Sequence, residues 1–121
     1  MLPNGLPHTA RIHLKRDFEQ IITQSAKYQN SGLSLWCLNR HTNSPARFAV
    51  VVSKKLGPAV VRNRTKRLLR EAFRLNRFRI LDGVDVIVKP RRSEKLSTVH
   101  AAQEALMSLC GKAAVRREPA A

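Results

Sequence analysis

Apolar residues at helical spacing begin the patterned part of the chain. Phe18, Ile21, Ile22 and Ala26 recur on one side of a helix predicted from Lys15 to about Ala26. Asp17 and Glu19 fall in its first turn, where the helix dipole favours acids. The period then drops to two. From Leu33 to Asn39, Leu33, Leu35 and Cys37 alternate with Ser34, Trp36 and Leu38, which predicts a strand with two distinct faces. His41 to Pro45 reads as a turn. Ala46 to Ser53 reads as a second strand, its Val50, Val51 and Val52 too apolar for a face left in water.

After a loop from Lys54 to Gly57, Pro58 suits the first position of a helix, because its missing N–H needs no partner there. That helix is expected to run to about Asn76. Asp82-Gly83 is a turn, and Val84 to Lys89 a third strand stopped by Pro90. A last helix follows Ser97, an N-cap residue, with Val99, Ala102, Leu106, Leu109 and Cys110 on one face and Gly111 near its end. Pro3, Gly5 and Pro7 break any pattern near the start, so residues 1–14 are expected to form a flexible arm. Residues 113–121 are expected to form a flexible tail, leaving 15–112 as a single α/β domain. No internal repeat or low-complexity segment interrupts it.

Composition narrows the function. The 121 residues carry 23 Lys and Arg against 8 acids, a formal charge of +15, and the 43% hydrophobic content is enough for a core. A field of this sign attracts polyanions, of which nucleic acid is the commonest. The longest strongly apolar run, Phe48 to Val52, is far too short to span a membrane. Met1 to Pro7 lacks the charged-then-apolar pattern of a secretory signal. Cys37 and Cys110 are too few for a disulfide framework. A reducing, cytoplasmic location is therefore expected.

The charge is concentrated. Between Lys54 and Arg79 stand ten basic residues and one acid, Glu71, a net of +9. On the helix in this segment, Val60, Val61, Leu68, Ala72 and Leu75 are expected to form the dry side. Arg62, Lys66, Arg70 and Arg74 form a ridge elsewhere, with Asn63 and Arg67 beside it. Like charges four apart destabilise a helix by about 0.2–0.5 kcal/mol per pair, so a whole row implies a polyanion that offsets the repulsion. Arg outnumbers Lys in the row, as suits bidentate phosphate contacts. The competing readings are a solvated face, a membrane-surface helix or a calmodulin target. Strands on both sides favour an embedded helix. A duplex-DNA recognition helix would need a helix-turn-helix partner segment that is missing.

A protein-only active site finds little support. His8, His13, His41 and His100 have no metal-ligand spacing, and the two cysteines are isolated. Asp82 and Asp85 could suggest a metal pair, but Asp82-Gly83 is better explained as a turn. No catalytic residue and no metal ligand is assigned.

The segment Ser53-Lys-Lys-Leu-Gly-Pro-Ala-Val-Val-Arg-Asn-Arg-Thr-Lys-Arg-Leu-Leu-Arg-Glu-Ala-Phe-Arg74 resembles the signature of the bacterial ribonuclease P protein subunit. Arg62-Asn-Arg64, followed by Lys66-Arg67 and Arg70, is similar to the family's "RNR" motif. Arg11-Ile-His-Leu-Lys-Arg-Asp-Phe18 and Asp85-Val-Ile-Val-Lys-Pro90 extend the resemblance from about Arg11 to Gly111.

The resemblance implies an α/β two-layer sandwich in the order α-β-β-β-α-β-α, similar to the second domain of ribosomal protein S5. The sheet would be mixed, with a left-handed βαβ crossover and an additional short strand near Lys27–Gln29. It also implies a protein that joins a large catalytic RNA in removing the 5′ leader of precursor tRNA. The chemistry would belong to that RNA and its bound Mg²⁺, with the protein alone inactive and no obligate protein partner. Lys54, Lys55, Arg62, Asn63, Arg64, Lys66, Arg67, Arg70 and Arg74 would meet the RNA, by contacts that set register and affinity without reading sequence. Phe18, Ile22 and Trp36, with Arg91 at the rim, match the family's leader-binding cleft. Trp36 replaces the usual tyrosine and still offers a stacking face. Ile22 stands where phenylalanine is common, and Phe18 reads equally as core packing. The alternative is a non-enzymatic ribosomal or ribosome-assembly protein of the same fold.

Overall fold

The computed structural model describes residues 10–12 and 15–115. Helix α1 (Lys15–Gln24) precedes strands β1 (Lys27–Gln29), β2 (Leu33–Asn39) and β3 (Arg47–Val50); helix α2 (Ala59–Asn76), strand β4 (Val84–Pro90) and helix α3 (Val99–Lys112) complete the order α-β-β-β-α-β-α. The four strands lie in the order β1-β2-β4-β3. β2 pairs antiparallel with both β1 and β4, whereas β3 runs parallel to β4 through the α2 crossover.

The alternation read from the sequence divides the sheet cleanly. Leu33 and Leu35 of β2, Phe48 of β3 and Val84, Val86 and Val88 of β4 point to the side covered by α2 and α3, where they form the main core. The rings of Phe48 and Phe73 stack there with centroids 4.4 Å apart. Truncating a buried ring of this kind costs about 3–5 kcal/mol. On the opposite face Ile12, Ile21 and Ile87 make a smaller cluster, against which Phe18, Trp36, Leu38, Ala49 and Val51 pack. α1 covers β2 and β4 on this side and leaves part of the face open.

Several boundaries differ from the sequence reading for local reasons. Residues 10–12 belong to the packed domain rather than to an arm. Ala10 and Ile12 are buried, and the Ile12 N–H donates to the Phe48 carbonyl at 3.1 Å, extending the sheet beyond its edge strand β3. At the other end Val115 is buried and its carbonyl accepts from the Leu81 N–H at 2.8 Å, so the domain continues past Lys112. The remainder of the expected arm and tail, residues 1–9, 13–14 and 116–121, lies outside the described residues. α1 stops at Gln24, and β3 is shorter than the Ala46 to Ser53 expected. Lys54–Leu56 forms a single tight helical turn instead of an open loop. Pro58 is the cap of α2, with its carbonyl accepting the first helical bond from Arg62. Thr98, not Ser97, caps α3, because its hydroxyl accepts from the Ala101 N–H at 3.0 Å. β4 includes Pro90, which pairs opposite Leu33. Asp82-Gly83 is the expected turn: Gly83 has φ +81°, and a Cβ there would come within 2.6 Å of the Thr42 carbonyl oxygen.

Candidate nucleic-acid interface

α2 carries the segment of highest charge, but the face it buries is not the one expected. Thr65, Leu69, Ala72, Phe73 and Asn76 face the core, whereas Val60 is 77% and Leu75 41% exposed. The helix is turned by about a quarter of a revolution from the stripe of Val60, Val61, Leu68, Ala72 and Leu75. Two polar residues hid the true stripe. Thr65 donates its hydroxyl to the Val61 carbonyl at 2.9 Å, and Asn76 donates to the Ala72 carbonyl at 2.8 Å and to Gln103 Oε1 at 3.0 Å. Both satisfy their polar groups locally and so enter the core at little cost.

The rotation sorts the cationic residues. Asn63, Arg64 and Arg67 are the outermost, with Arg62, Lys66, Arg70 and Arg74 half-buried along one flank. Arg62 Nε donates to the Gly57 carbonyl at 3.1 Å, which fixes it at the helix start beside exposed Lys54 and Lys55. Arg64 reaches across to the Ser97 carbonyl at 3.2 Å. Arg70 has its pKa drawn below the usual arginine value by burial and then by the neighbouring charge of Arg11. Arg74 is held by both oxygens of Glu71 at 2.7 Å, which raises the Arg74 pKa and lowers that of Glu71. The ridge therefore holds two guanidinium groups fixed by acceptors, Arg62 on the Gly57 carbonyl and Arg74 on Glu71, with Lys66 and Arg70 between them. A guanidinium held this way has less freedom to lose when its remaining N–H groups meet an anion.

The second set of predicted residues lies on the opposite side of the sheet. Phe18 and Trp36 both pack, partly buried, against the Ile21 and Ile87 cluster, so the core reading of Phe18 holds in part. Its outer edge lines a groove with Lys15, Glu19, Ile22 and Thr23, where Ile22 is 42% exposed. Trp36 sits at the middle of β2 opposite Ile87, with the Lys27 ammonium over its ring at 5.6 Å. The next cross-strand row, Gln29, Ser34 and Lys89, is polar. Arg91 stands apart from Trp36, just beyond β4, where its Nη1 donates to the Asn30 carbonyl at 2.6 Å. Lys27 was missed by sequence reasoning. The signal for it was the register of β1, a strand that periodicity alone does not reveal in three residues.

A third feature of this face is structural. Buried Asp85 accepts from Arg40 Nε at 2.8 Å and from Arg47 at 2.8 and 2.6 Å, and Arg47 also lies 3.5 Å from Asp17 of α1. Hydrogen bonding to Asp85 is the main reason the Arg47 pKa is raised. Asp85 is thus committed to arginines rather than to a metal site with Asp82. Among the described residues no group of three or more His, Cys, Asp or Glu could hold a metal ion. Nor, among them, is any helix long and apolar enough to cross a membrane. Cys37 and Cys110 are not joined in a disulfide, and burial raises the Cys37 thiol pKa.

Comparison with known proteins identifies the family. Residues 6–114 match the family model for ribonuclease P. The ribonuclease P protein component of Gluconacetobacter diazotrophicus is 38% identical over 107 residues, covering 88% of this chain and 92% of the relative. That of Finegoldia magna is 31% identical, covering 90% and 95%. The solved ribonuclease P protein of Staphylococcus aureus superposes with a TM-score of 0.76 at 33% identity, covering 88% of this chain and 96% of that one. The Thermotoga maritima ribonuclease P protein gives 0.74 at 32% identity, covering 84% and 96%. The chain belongs to the family of the ribonuclease P protein component, a subunit of the tRNA-processing ribonucleoprotein.

Proposed function

We propose that this protein binds the catalytic RNA of ribonuclease P through the outward face of α2 and the unpaired 5′ leader of precursor tRNA through the open face of the sheet beside α1. Lys54, Lys55, Arg62, Asn63, Arg64, Lys66, Arg67, Arg70 and Arg74 supply the RNA contacts, which neutralise phosphates and set affinity. Phe18, Ile22 and Trp36 supply the leader surface, with Lys27 beside Trp36 and Arg91 beyond the strand end. Stacking of a base on an aromatic face of this kind is worth about 1–3 kcal/mol. The observation that carries the reading is the separation of the two surfaces by the sheet: the +9 segment lies on one side and the Phe18–Trp36 cluster on the other.

Hydrolysis of the phosphodiester that joins leader to tRNA leaves a 5′-phosphate on the mature end. In this reading the RNA holds the Mg²⁺ and performs that step, and the protein alone does not cleave. The protein's own side chains bind and position. Asp85 and Glu71 are engaged by arginines, so their carboxylates serve the fold and the ridge rather than a hydrolytic water. The complex acts in the cytoplasm and needs no other protein.

The reading is tested by recovering the protein from cells and sequencing the RNA that comes with it. Enrichment of ribonuclease P RNA and precursor tRNA is the expected result. Enrichment of ribosomal RNA in their place would favour a ribosome-assembly role.

A further inference from the structure

The four-residue spacing of the α2 ridge continues one step beyond the helix, from Arg62, Lys66, Arg70 and Arg74 to Phe78. Phe78 sits in the tight turn Arg77–Arg79, and its side chain is 73% exposed. A lone exposed apolar residue is ordinary. This one differs in its setting. It shares a shallow pocket with Pro45, Arg74, Arg77 and Asp82. Both guanidinium groups are fixed: Arg74 by Glu71, and Arg77 by donating its Nε to the Ala46 carbonyl at 2.8 Å. The turn is fixed too, because Asn76 and Ile80 on either side of it are buried, and Arg79 Nη1 donates to Asn76 Oδ1 at 3.2 Å. The turn between these two buried residues presents the ring to water.

We propose that Phe78 is a stacking platform for one unpaired base of the RNA that lies along α2. The base covers the ring against Pro45, and the flanking phosphates meet Arg74 and Arg77 at the rim. Asp82, also on the rim, keeps phosphate away from its own side and leaves the apolar centre to the base. Because the turn is already ordered, stacking costs little additional freedom. The contact is tolerant of sequence, since every base has a π-face. A second copy of the chain is a poorer occupant: two chains of +15 each, meeting at surfaces fringed by arginine, would repel, whereas an RNA strand complements them.

This inference rests on the assignment of α2 to RNA binding, and the experiment separates the two. Affinity for the catalytic RNA of ribonuclease P is measured for the wild type, Phe78→Ala, Phe78→Trp and Arg67→Ala across a salt series, with sedimentation of each free protein. Phe78→Ala should weaken binding roughly five- to a hundredfold with an unchanged salt slope, and Phe78→Trp should bind like the wild type. Arg67→Ala should reduce both affinity and slope. If Phe78→Ala, or Phe78→Ala and Phe78→Trp alike, departs from this pattern while Arg67→Ala weakens binding, the platform is overturned and the RNA face of α2 stands. If neither position matters, both readings fall. Loss of self-association in Phe78→Ala without loss of RNA affinity would assign the ring to a second copy and overturn the proposal.

Discussion

Arg47 grips the buried carboxylate of Asp85 with two charge-assisted hydrogen bonds, Nε to Oδ1 at 2.8 Å and Nη2 to Oδ2 at 2.6 Å. The two residues are direct partners across the parallel pair β3 and β4. Arg40 donates to the same carboxylate, and Asp17 approaches Arg47 from α1, so one buried charge joins the edge strand, the central strand and helix α1. Removing it takes the carboxylate from Arg40 and leaves Arg47 with Asp17 alone, at 3.5 Å. Asp85→Ala is therefore expected to destabilise the fold by about 3–5 kcal/mol in urea unfolding. A loss below about 1 kcal/mol would show that the cluster contributes little.

Glu71 tempers the ridge it sits in. It is the sole acid between Lys54 and Arg79, and both its oxygens are engaged by Arg74. Glu71→Gln raises the charge of the segment by one and loosens Arg74, so RNA affinity at low salt should rise severalfold and fall more steeply with added salt. Unchanged affinity and slope would place Glu71 and Arg74 outside the interface.

The same pair has a pH signature. Arg74 holds the Glu71 carboxyl below its usual range. A carboxyl with a lowered folded-state pKa contributes stability that is present above its ordinary value, about 4.3, and is lost as the pH falls through the lowered one. Thermal melts of wild type and Glu71→Gln should therefore differ near neutrality and converge in strong acid. A difference that persists to the lowest pH would assign the effect to packing.

The proposed leader role of Trp36 separates from tRNA binding in a substrate comparison. Trp36→Ala should weaken binding of precursor tRNA to the assembled complex by about five- to a hundredfold, and should leave binding of mature tRNA nearly unchanged. Equal losses for the two would point to a folding defect or to a leader site elsewhere.

What was legible in the sequence, and what was not, follows from which patterns are local. The faces of β2 were readable because Leu33, Leu35 and Cys37 alternate strictly with Ser34, Trp36 and Leu38. That alternation put Trp36 on the correct side of the sheet. The rotation of α2 was not readable, because Thr65 and Asn76 look polar to any periodicity yet bond to their own helix and to Gln103. Burial of Ala10 and Ile12 was hidden for a different reason. It rests on packing into the two clusters and on pairing of Arg11 and Ile12 with Phe48, more than thirty positions away in the chain. The Lys27–Trp36 contact likewise depends on strand register, and the exposure of Phe78 depends on the turn Arg77–Arg79 that follows the expected end of α2 at Asn76.

The central claim, that a basic protein with an RNA face and a leader face assists an RNA catalyst, is tested most directly by reconstituted cleavage of precursor tRNA at low Mg²⁺. Protein alone should give no product, the cognate RNA alone little, and the two together rapid release of the 5′ leader. Failure of the folded protein to stimulate that RNA, or cleavage by the protein in the absence of any RNA, would contradict it.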